Sequence, residues 1–303
     1  MYLLKTMGAG FDVFTWAYRS QVLSASLREF YALTFGAYDL IVGFEMPASL
    51  LRYCGEVGIK AIDIAIHPYR FLDDLVLMAR SSDSATEAAI EAIQHSFAND
   101  VAIPPMPREA IGKTRRELEQ LRNNTANDFS LFCLQTRFDR SKFDGKGGII
   151  DDLWLLKRSD ISVHFYKPHP VEARPEIEMH LMRMGAKRLP ESITFYDLLS
   201  AAAERLNVVA VTSSVLSEAS ALGANNVRRL APSPWKIAGL AEPSAPIDGC
   251  PSSTFYPVDM RILTDSFWAG IAGRSDARSG PPIKQRANFL RLAFGHSWDY
   301  RMQ

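Results

Sequence analysis

The stretch Ser162-Val-His-Phe-Tyr-Lys-Pro-His-Pro170 constrains the fold of this chain more than any other. Val163, Phe165 and Tyr166 give it strand character, and two prolines end it, because proline has no N–H to donate to a sheet ladder. Lys167 and His169 are therefore held on stiff backbone at a strand end. In open α/β sheets, ligands bind along the edge formed by the carboxyl ends of the strands. A solvated, strand-terminating turn would use the same four residues, and this stretch alone does not separate the two readings.

A second stretch favours the first reading. Val208-Val-Ala-Val-Thr-Ser-Ser-Val-Leu-Ser-Glu-Ala-Ser-Ala-Leu-Gly-Ala224 reads as an apolar strand, a hydroxyl-rich turn and a helix ending near Gly223. Thr212, Ser213 and Ser214 then fall at a helix N-terminus, where unpaired N–H groups and a positive dipole end suit a phosphate. An ordinary serine N-cap would explain Ser213 or Ser214 equally well. The two strand ends lie about 45 residues apart with a helix and another short strand between them, which fits consecutive units of one parallel sheet.

The first half repeats the pattern. Helical spacing runs through residues 11–35, and residues 38–44 form a short apolar strand that stops at Glu45-Met46-Pro47 before a helix at 48–55. Residues 59–66 make the next strand, which ends at His67-Pro68 and is followed by Tyr69-Arg70. Glu45, Asp63, His67 and Arg70 are candidates to line a cleft, although Asp63, inside a strand, also reads as a local hydrogen-bonding residue. After a helix at 83–95 come the prolines of 103–107, a charged helix at 108–122 and a polar linker at 123–128. A boundary there gives two units, 1–125 and 126–303.

In the second unit, residues 129–134 form an apolar strand ending on Gln135-Thr-Arg-Phe-Asp-Arg-Ser141. Gly145, Gly147 and Gly148 match neither a P-loop nor a dinucleotide fingerprint and read as a loop. A helix is expected at 149–157, a strand at 192–198, and helices at 198–205, 261–272 and 285–296; residues 230–250 have no clear period.

Composition narrows the function. The chain has 303 residues, 47% of them hydrophobic, and equal numbers of acidic and basic side chains, 34 of each. It can bury substantial cores, and it has no overall positive field to hold a nucleic acid. Its three cysteines lack metal-ligand spacing, and no long apolar run or leader pattern appears, so a reducing, cytoplasmic setting is expected. Any membrane association is expected to be peripheral, at the inner membrane.

Lys167-Pro-His-Pro170, Thr212-Ser-Ser-Val-Leu-Ser-Glu-Ala219 and Gln135-Thr-Arg-Phe-Asp-Arg-Ser141 together resemble bacterial glycosyltransferases that use CMP-activated nonulosonic or octulosonic sugars and carry HP and Ser-Ser motifs. Val42-Gly-Phe-Glu45 and the run from Ile62 to Asp74 make the chain most similar to the retaining β-Kdo transferases of capsule and O-antigen assembly. The likeness covers most of residues 38–222. It implies a GT-B fold, two Rossmann-like α/β domains with parallel sheets and the site between them: an acceptor-side domain at 1–125 and a CMP-sugar domain at 126–303. It also implies that Gln135, Lys167, His169, Pro170, Ser213, Ser214 and Glu218 bind the CMP portion without a metal or other cofactor. Asp139 would be the nucleophile of a double displacement onto a glycan or glycolipid acceptor, with Asp144 as the alternative. The family resemblance places an acid near Ala65, so Glu45 or Asp63, with His67 nearby, is left to supply the acid/base group. An inverting sialyltransferase-like enzyme, a non-catalytic nucleotide-sugar-binding module and an epimerase-like enzyme acting on UDP-sugars are the other readings.

Overall fold

The computed structural model describes residues 17, 20–72, 74–95, 128–137, 139–142, 148–191, 193–240, 254–273, 281 and 289–294. Helix α1 (Ala25–Phe35) starts where the Ser24 hydroxyl accepts from the Leu27 N–H, and it buries Leu27 and Tyr31. Strand β1 (Leu40–Phe44) leads into α2 (Ala48–Val57), which is closed by Gly58 at φ 77°, a left-handed position suited to glycine. Strands β2 (Lys60–Ile66) and β3 (Leu77–Ser81) follow, and then α3 (Ser84–Glu91), capped by Asp83.

The second half starts with β4 (Phe129–Cys133) and α4 (Asp152–Arg158), and continues through β5 (Phe165–Lys167), α5 (Pro175–Arg183) and β6 (Lys187–Arg188). After α6 (Phe195–Ala202) come β7 (Leu206–Ala210), α7 (Val215–Ala221) and β8 (Asn226–Arg229). The chain ends with β9 (Lys236–Ile237), β10 (Thr254–Val258), α8 (Asp265–Ile271) and α9 (Phe289–Phe294).

These strands form two five-stranded sheets in a mixed α/β architecture. The second has the order β6-β5-β4-β7-β8 with every pair parallel. Alternation along β4 explains its two cores: Phe129, Leu131 and Cys133 face α6 and α7, while Phe132 and Leu134 face α4 and α5. The order reverses between β4 and β7, and at such a reversal the loops leaving neighbouring strands diverge and open a crevice.

The first sheet, β1-β2-β3-β10-β9, departs from the expected parallel arrangement, because β3 runs antiparallel to both β2 and β10. Only ten residues, 67–76, join β2 to β3, too few for the crossover a parallel pair requires. Nor does the chain divide between the sheets at a single point. Strands β9 and β10 belong to the first sheet although they lie in the expected 126–303 unit, and α9 returns with them. Asp74 accepts hydrogen bonds from the Leu290 and Arg291 N–H groups at 2.7 and 3.0 Å, and Leu290 packs with Ile62 and Leu77.

Residues 193–198 are another correction. Their β-branched and aromatic content suggests a strand, but Thr194 and Asp197 exchange side-chain and backbone hydrogen bonds as a capping box and start α6 instead. The expected helix at 108–122, the boundary at 125–126, Asp144, Gly145, Gly147 and Cys250 lie outside the described residues. Cys54 and Cys133 are buried free thiols.

Candidate functional site

A cavity of about 300 Å³ lies at the reversal point of the second sheet. The loop after β4 contributes Thr136, Asp139 and Ser141, the turn after β7 contributes Thr212 and Ser214, α7 contributes Ser217, and β8 contributes Arg229. The first sheet closes the other side with Glu45, Ala65, Ile66 and Met78, the 67–76 segment adds Pro68 and Arg70, and Trp235, Ile237 and Phe255 complete the wall. Among the described lining residues, four side chains ionise: Glu45, Arg70, Asp139 and Arg229.

Gln135 organises the floor. It is 3% exposed, its Oε1 accepts from the Thr212 N–H at 2.8 Å, and its Nε2 donates to Asp139 Oδ2 at 3.2 Å and to the Ser141 and Thr212 hydroxyls at 3.3 and 3.2 Å. It thereby ties the end of β4 to the end of β7, rather than lining the cavity. Asp139 does both jobs that its position allows. Its Oδ1 accepts from the Ser141 N–H and hydroxyl at 2.9 and 2.7 Å, fixing the local turn, and the carboxylate lines the cavity. Arg137 turns to Glu176 instead, at 3.2 Å.

Beneath this loop lies a buried ion cluster. Lys142 reaches Asp152 at 2.6 Å, and Arg174 reaches Asp152 at 3.0 Å and the Gln135 carbonyl at 3.4 Å. Lys142 and Asp152 are 1% and 2% exposed, and burial pushes the lysine pKa down and the carboxyl pKa up. The short 3-10 turn Arg140–Lys142 that follows Asp139 is anchored from below by this cluster.

The Lys-Pro-His-Pro residues divide. Lys167 donates to the Ile193 carbonyl at 2.8 Å, and burial lowers its pKa; it joins β5 to the start of α6 and does not line the cavity. Pro170 is exposed. His169 does not form part of the cavity wall either; its Nδ1 accepts from the Val171 N–H, 3.2 Å away, so the neutral ring carries its proton on Nε2. Burial lowers its pKa, with Asp139 opposing and Arg70 reinforcing the shift, so its imidazole offers a hydrogen bond rather than a full charge.

At the start of α7, Ser213 Oγ accepts from the Val215 N–H at 3.3 Å. Ser214, at the cap position, makes no capping bond with its side chain and lines the cavity. Ser213 thus holds the turn, while Ser214 faces the cavity. Glu218, 4% exposed, accepts from the Arg70 N–H at 2.8 Å and the Tyr196 hydroxyl at 2.7 Å, linking α7 to the segment after β2.

In the first sheet Glu45 has φ 54°, a left-handed conformation that costs a non-glycine residue on the order of 1 kcal/mol and that concentrates at functional sites. Its N–H donates to the Ile64 carbonyl at 2.7 Å, and the next N–H, of Met46, donates to Asp63 at 2.7 Å. Asp63 is fully buried within β2 and paired with Arg80 at 2.9 Å; it shares a strand face with Ala65 but is not itself part of the cavity wall. His67 is likewise fully buried, accepting from the Tyr69 N–H at 3.1 Å with its ring edge-on to Tyr69.

Burial first, and then His95, hold the His67 pKa down to about 3. The folded value lies below the unfolded one, so the stability that neutral His67 contributes is complete above about pH 6.5 and is lost as pH falls toward 3. Between pH 7 and pH 5 the loss should be about 2 kcal/mol. Urea unfolding at both pH values, with His67→Gln as comparison, checks this: the variant should flatten the dependence. Equal slopes in the two proteins would refute it.

Sequence reasoning missed Arg229, Ser217, Ser233, Trp235 and Phe255 in the wall. For Arg229 there was a signal, since it ends the strand that follows the Ser-Ser turn, and strand ends on this edge had already proved informative. Among the described residues, no group of three or more His, Cys, Asp or Glu side chains is placed to hold a metal ion, and no helix is long and apolar enough to cross a membrane. No family model matches the chain, and no curated protein matches it at a significant level.

Proposed function

We propose that this chain is a glycosyltransferase of the GT-B type that transfers Kdo or a related ulosonic acid from a CMP-sugar to a glycan or glycolipid acceptor, with retention of configuration. One observation carries the reading most. Asp139 and Ser214 meet in one cavity at the reversal point of the parallel sheet, facing Glu45 on the other sheet. On this reading the two sheets are the cores of two Rossmann-like lobes, with the nucleotide on the second and the acceptor approaching from the first.

Each residue then has a role that its surroundings permit. Ser214 and the Nε2 proton of His169 bind phosphate oxygens, and Arg70 adds positive charge. Gln135, Ser141 and the Lys142–Asp152–Arg174 cluster hold Asp139 for attack. Lys167, Ser213 and Glu218 support the site from outside the cavity. Glu45 supplies the acid/base group: it lines the same cavity as Ala65, near which the family resemblance calls for an acid.

Titration calorimetry with CMP and with UMP tests the proposal. CMP should bind with clear preference, and His169→Ala should weaken it by about 2 kcal/mol, the typical value of a hydrogen bond to a charged group. Failure of the wild-type protein to bind CMP would remove the donor assignment, and an unchanged affinity in the variant would remove His169 from the site.

A further inference from the structure

Gln135, Asp139, Ser141 and Thr212, gathered where β4 and β7 end, share their protons in a way that the distances fix. Gln135 and Thr212 are buried, so their polar groups find partners inside the protein. The Gln135 amide has one orientation. Its Oε1 is needed by the Thr212 N–H at 2.8 Å, and its Nε2 faces Asp139 Oδ2, a carboxylate oxygen that can only accept. For the same reason the Ser141 hydroxyl gives its proton to Asp139 Oδ1, at 2.7 Å. The 2.7 Å bond between the Ser141 and Thr212 hydroxyls is therefore donated by Thr212, whose other acceptor, Gln135 Oε1, is farther away at 3.4 Å. The amide protons of Gln135 have three acceptors within reach, and the most distant, the Ser141 hydroxyl at 3.3 Å, already accepts from Thr212. They serve Thr212 Oγ1 and Asp139 Oδ2, each at 3.2 Å. A ring closes in which both routes out of Gln135 end on the carboxylate.

The two oxygens of Asp139 are consequently unequal. Oδ1 carries the Ser141 N–H and hydroxyl at 2.9 and 2.7 Å, whereas Oδ2 carries one longer bond from Gln135, at 3.2 Å. We infer that Oδ2 is the oxygen that attacks the sugar, and that Thr212 is a positioning residue that acts through Ser141 to make Asp139 a better leaving group in the second displacement. The inference rests on the functional reading above and deepens it by giving each oxygen its own task. While the sugar is bonded to Oδ2, Oδ1 is a carbonyl oxygen. When the acceptor oxygen bonds to the anomeric carbon, the bond to Oδ2 breaks, its electron pair returns to the carboxylate, and the acceptor proton passes to Glu45. The returning charge spreads onto Oδ1, where two donors are already in place. A hydroxyl that accepts a hydrogen bond donates a stronger one, so the Thr212 bond to Ser141 reinforces the Ser141 bond to Asp139. The first displacement gains nothing from these donors, because they stabilise the charge that attack consumes.

Rapid-quench mass spectrometry of the intact protein, mixed with CMP-Kdo and no glycan acceptor, tests this with water as the acceptor. Thr212→Val keeps the side-chain shape and removes the hydroxyl. Its glycosyl adduct should form within about twofold of the wild-type rate and hydrolyse at least about fivefold more slowly, the scale of one hydrogen bond, so that the adduct accumulates. Thr212→Ser, which returns the hydroxyl, should restore wild-type hydrolysis. Should Thr212→Val not fold, Ser141→Ala carries the test: it removes a donor to Oδ1 directly and should slow hydrolysis by at least as much. Equal slowing of formation and hydrolysis would show a loosened loop and overturn the inference. Unchanged hydrolysis in a folded variant, or failure of serine to restore it, would overturn it too. Wild-type protein that releases no CMP from CMP-Kdo, or a set of proteins that release it and never carry a sugar, would instead remove the functional reading beneath it.

Discussion

Asp139→Asn is expected to reduce sugar transfer on the order of 10³-fold or more while leaving CMP binding nearly unchanged, because a residue that acts only in the chemical step lowers kcat without altering ground-state binding. The substitution suits the site. Asparagine keeps an oxygen for the Ser141 N–H and hydroxyl, which Asp139 Oδ1 now serves at 2.9 and 2.7 Å, so the turn survives while the proposed nucleophile is lost. On the proposed retaining mechanism, a carboxylate oxygen of Asp139 would bond to the anomeric carbon in the first displacement, and the bond to the phosphate oxygen would break, its electron pair leaving with CMP. In the second, the acceptor hydroxyl would give its proton to Glu45 and displace Asp139, restoring the starting configuration. Intact-protein mass spectrometry after exposure to CMP-Kdo without acceptor should show one added sugar on the wild-type chain, mapping to Asp139, and none on the variant. Transfer by Asp139→Asn with inversion of the donor's configuration would sink the retaining mechanism in favour of the sialyltransferase-like one.

What the sequence disclosed of this site followed a simple physical rule. Strands buried on both faces read as apolar runs, and their polar residues begin where the ladder ends. That rule located β4, β5 and β7 and the turns carrying Asp139, His169 and Ser214. It failed where burial is achieved by pairing rather than by apolarity. Strand β3 carries Arg80 and Ser81 in the interior, so its run looks broken although all five residues are buried. Strands β6 and β8 are short polar edges with little hydrophobic signal. Strands β9 and β10 depend on partners far away in sequence, β10 pairing with β3, and no local pattern encodes such a return.

Side-chain direction was the other hidden quantity. Lys167 and His169 are two residues apart on one stiff turn, yet the lysine reaches the Ile193 carbonyl while the imidazole accepts from the Val171 N–H. Gln135 and Glu218 carry polar groups suited to a ligand, but they spend them joining parts of the protein. The positive charge of the cavity thus falls to Arg70 and Arg229. Proximity to a strand end selects candidates, and only the geometry of the neighbours decides which of them line the cavity.

Asp63 illustrates the same distinction and yields the largest expected stability effect. Asp63→Ala should cost about 3–5 kcal/mol, because removing one partner of a buried ion pair leaves the other charge uncompensated. The stranded group is Arg80, 2% exposed, whose guanidinium lies 4.4 Å from the centre of the Phe255 ring and would keep that contact without its counter-charge. The Met46 N–H would lose its acceptor as well, and with it one restraint on the left-handed turn at Glu45. A melting temperature lower by roughly 10 °C is the expected scale for a chain of this size. Replacing both residues with apolar ones, Asp63→Leu with Arg80→Met, should recover more than half of the loss, since the desolvated charges then disappear together. A cycle of the two single variants and the double, followed by thermal melting and CMP titration, separates the roles. A stability loss with intact CMP affinity fits a buried strut between β2 and β3, whereas Asp63→Ala that melts like wild type but transfers no sugar would return Asp63 to the chemistry.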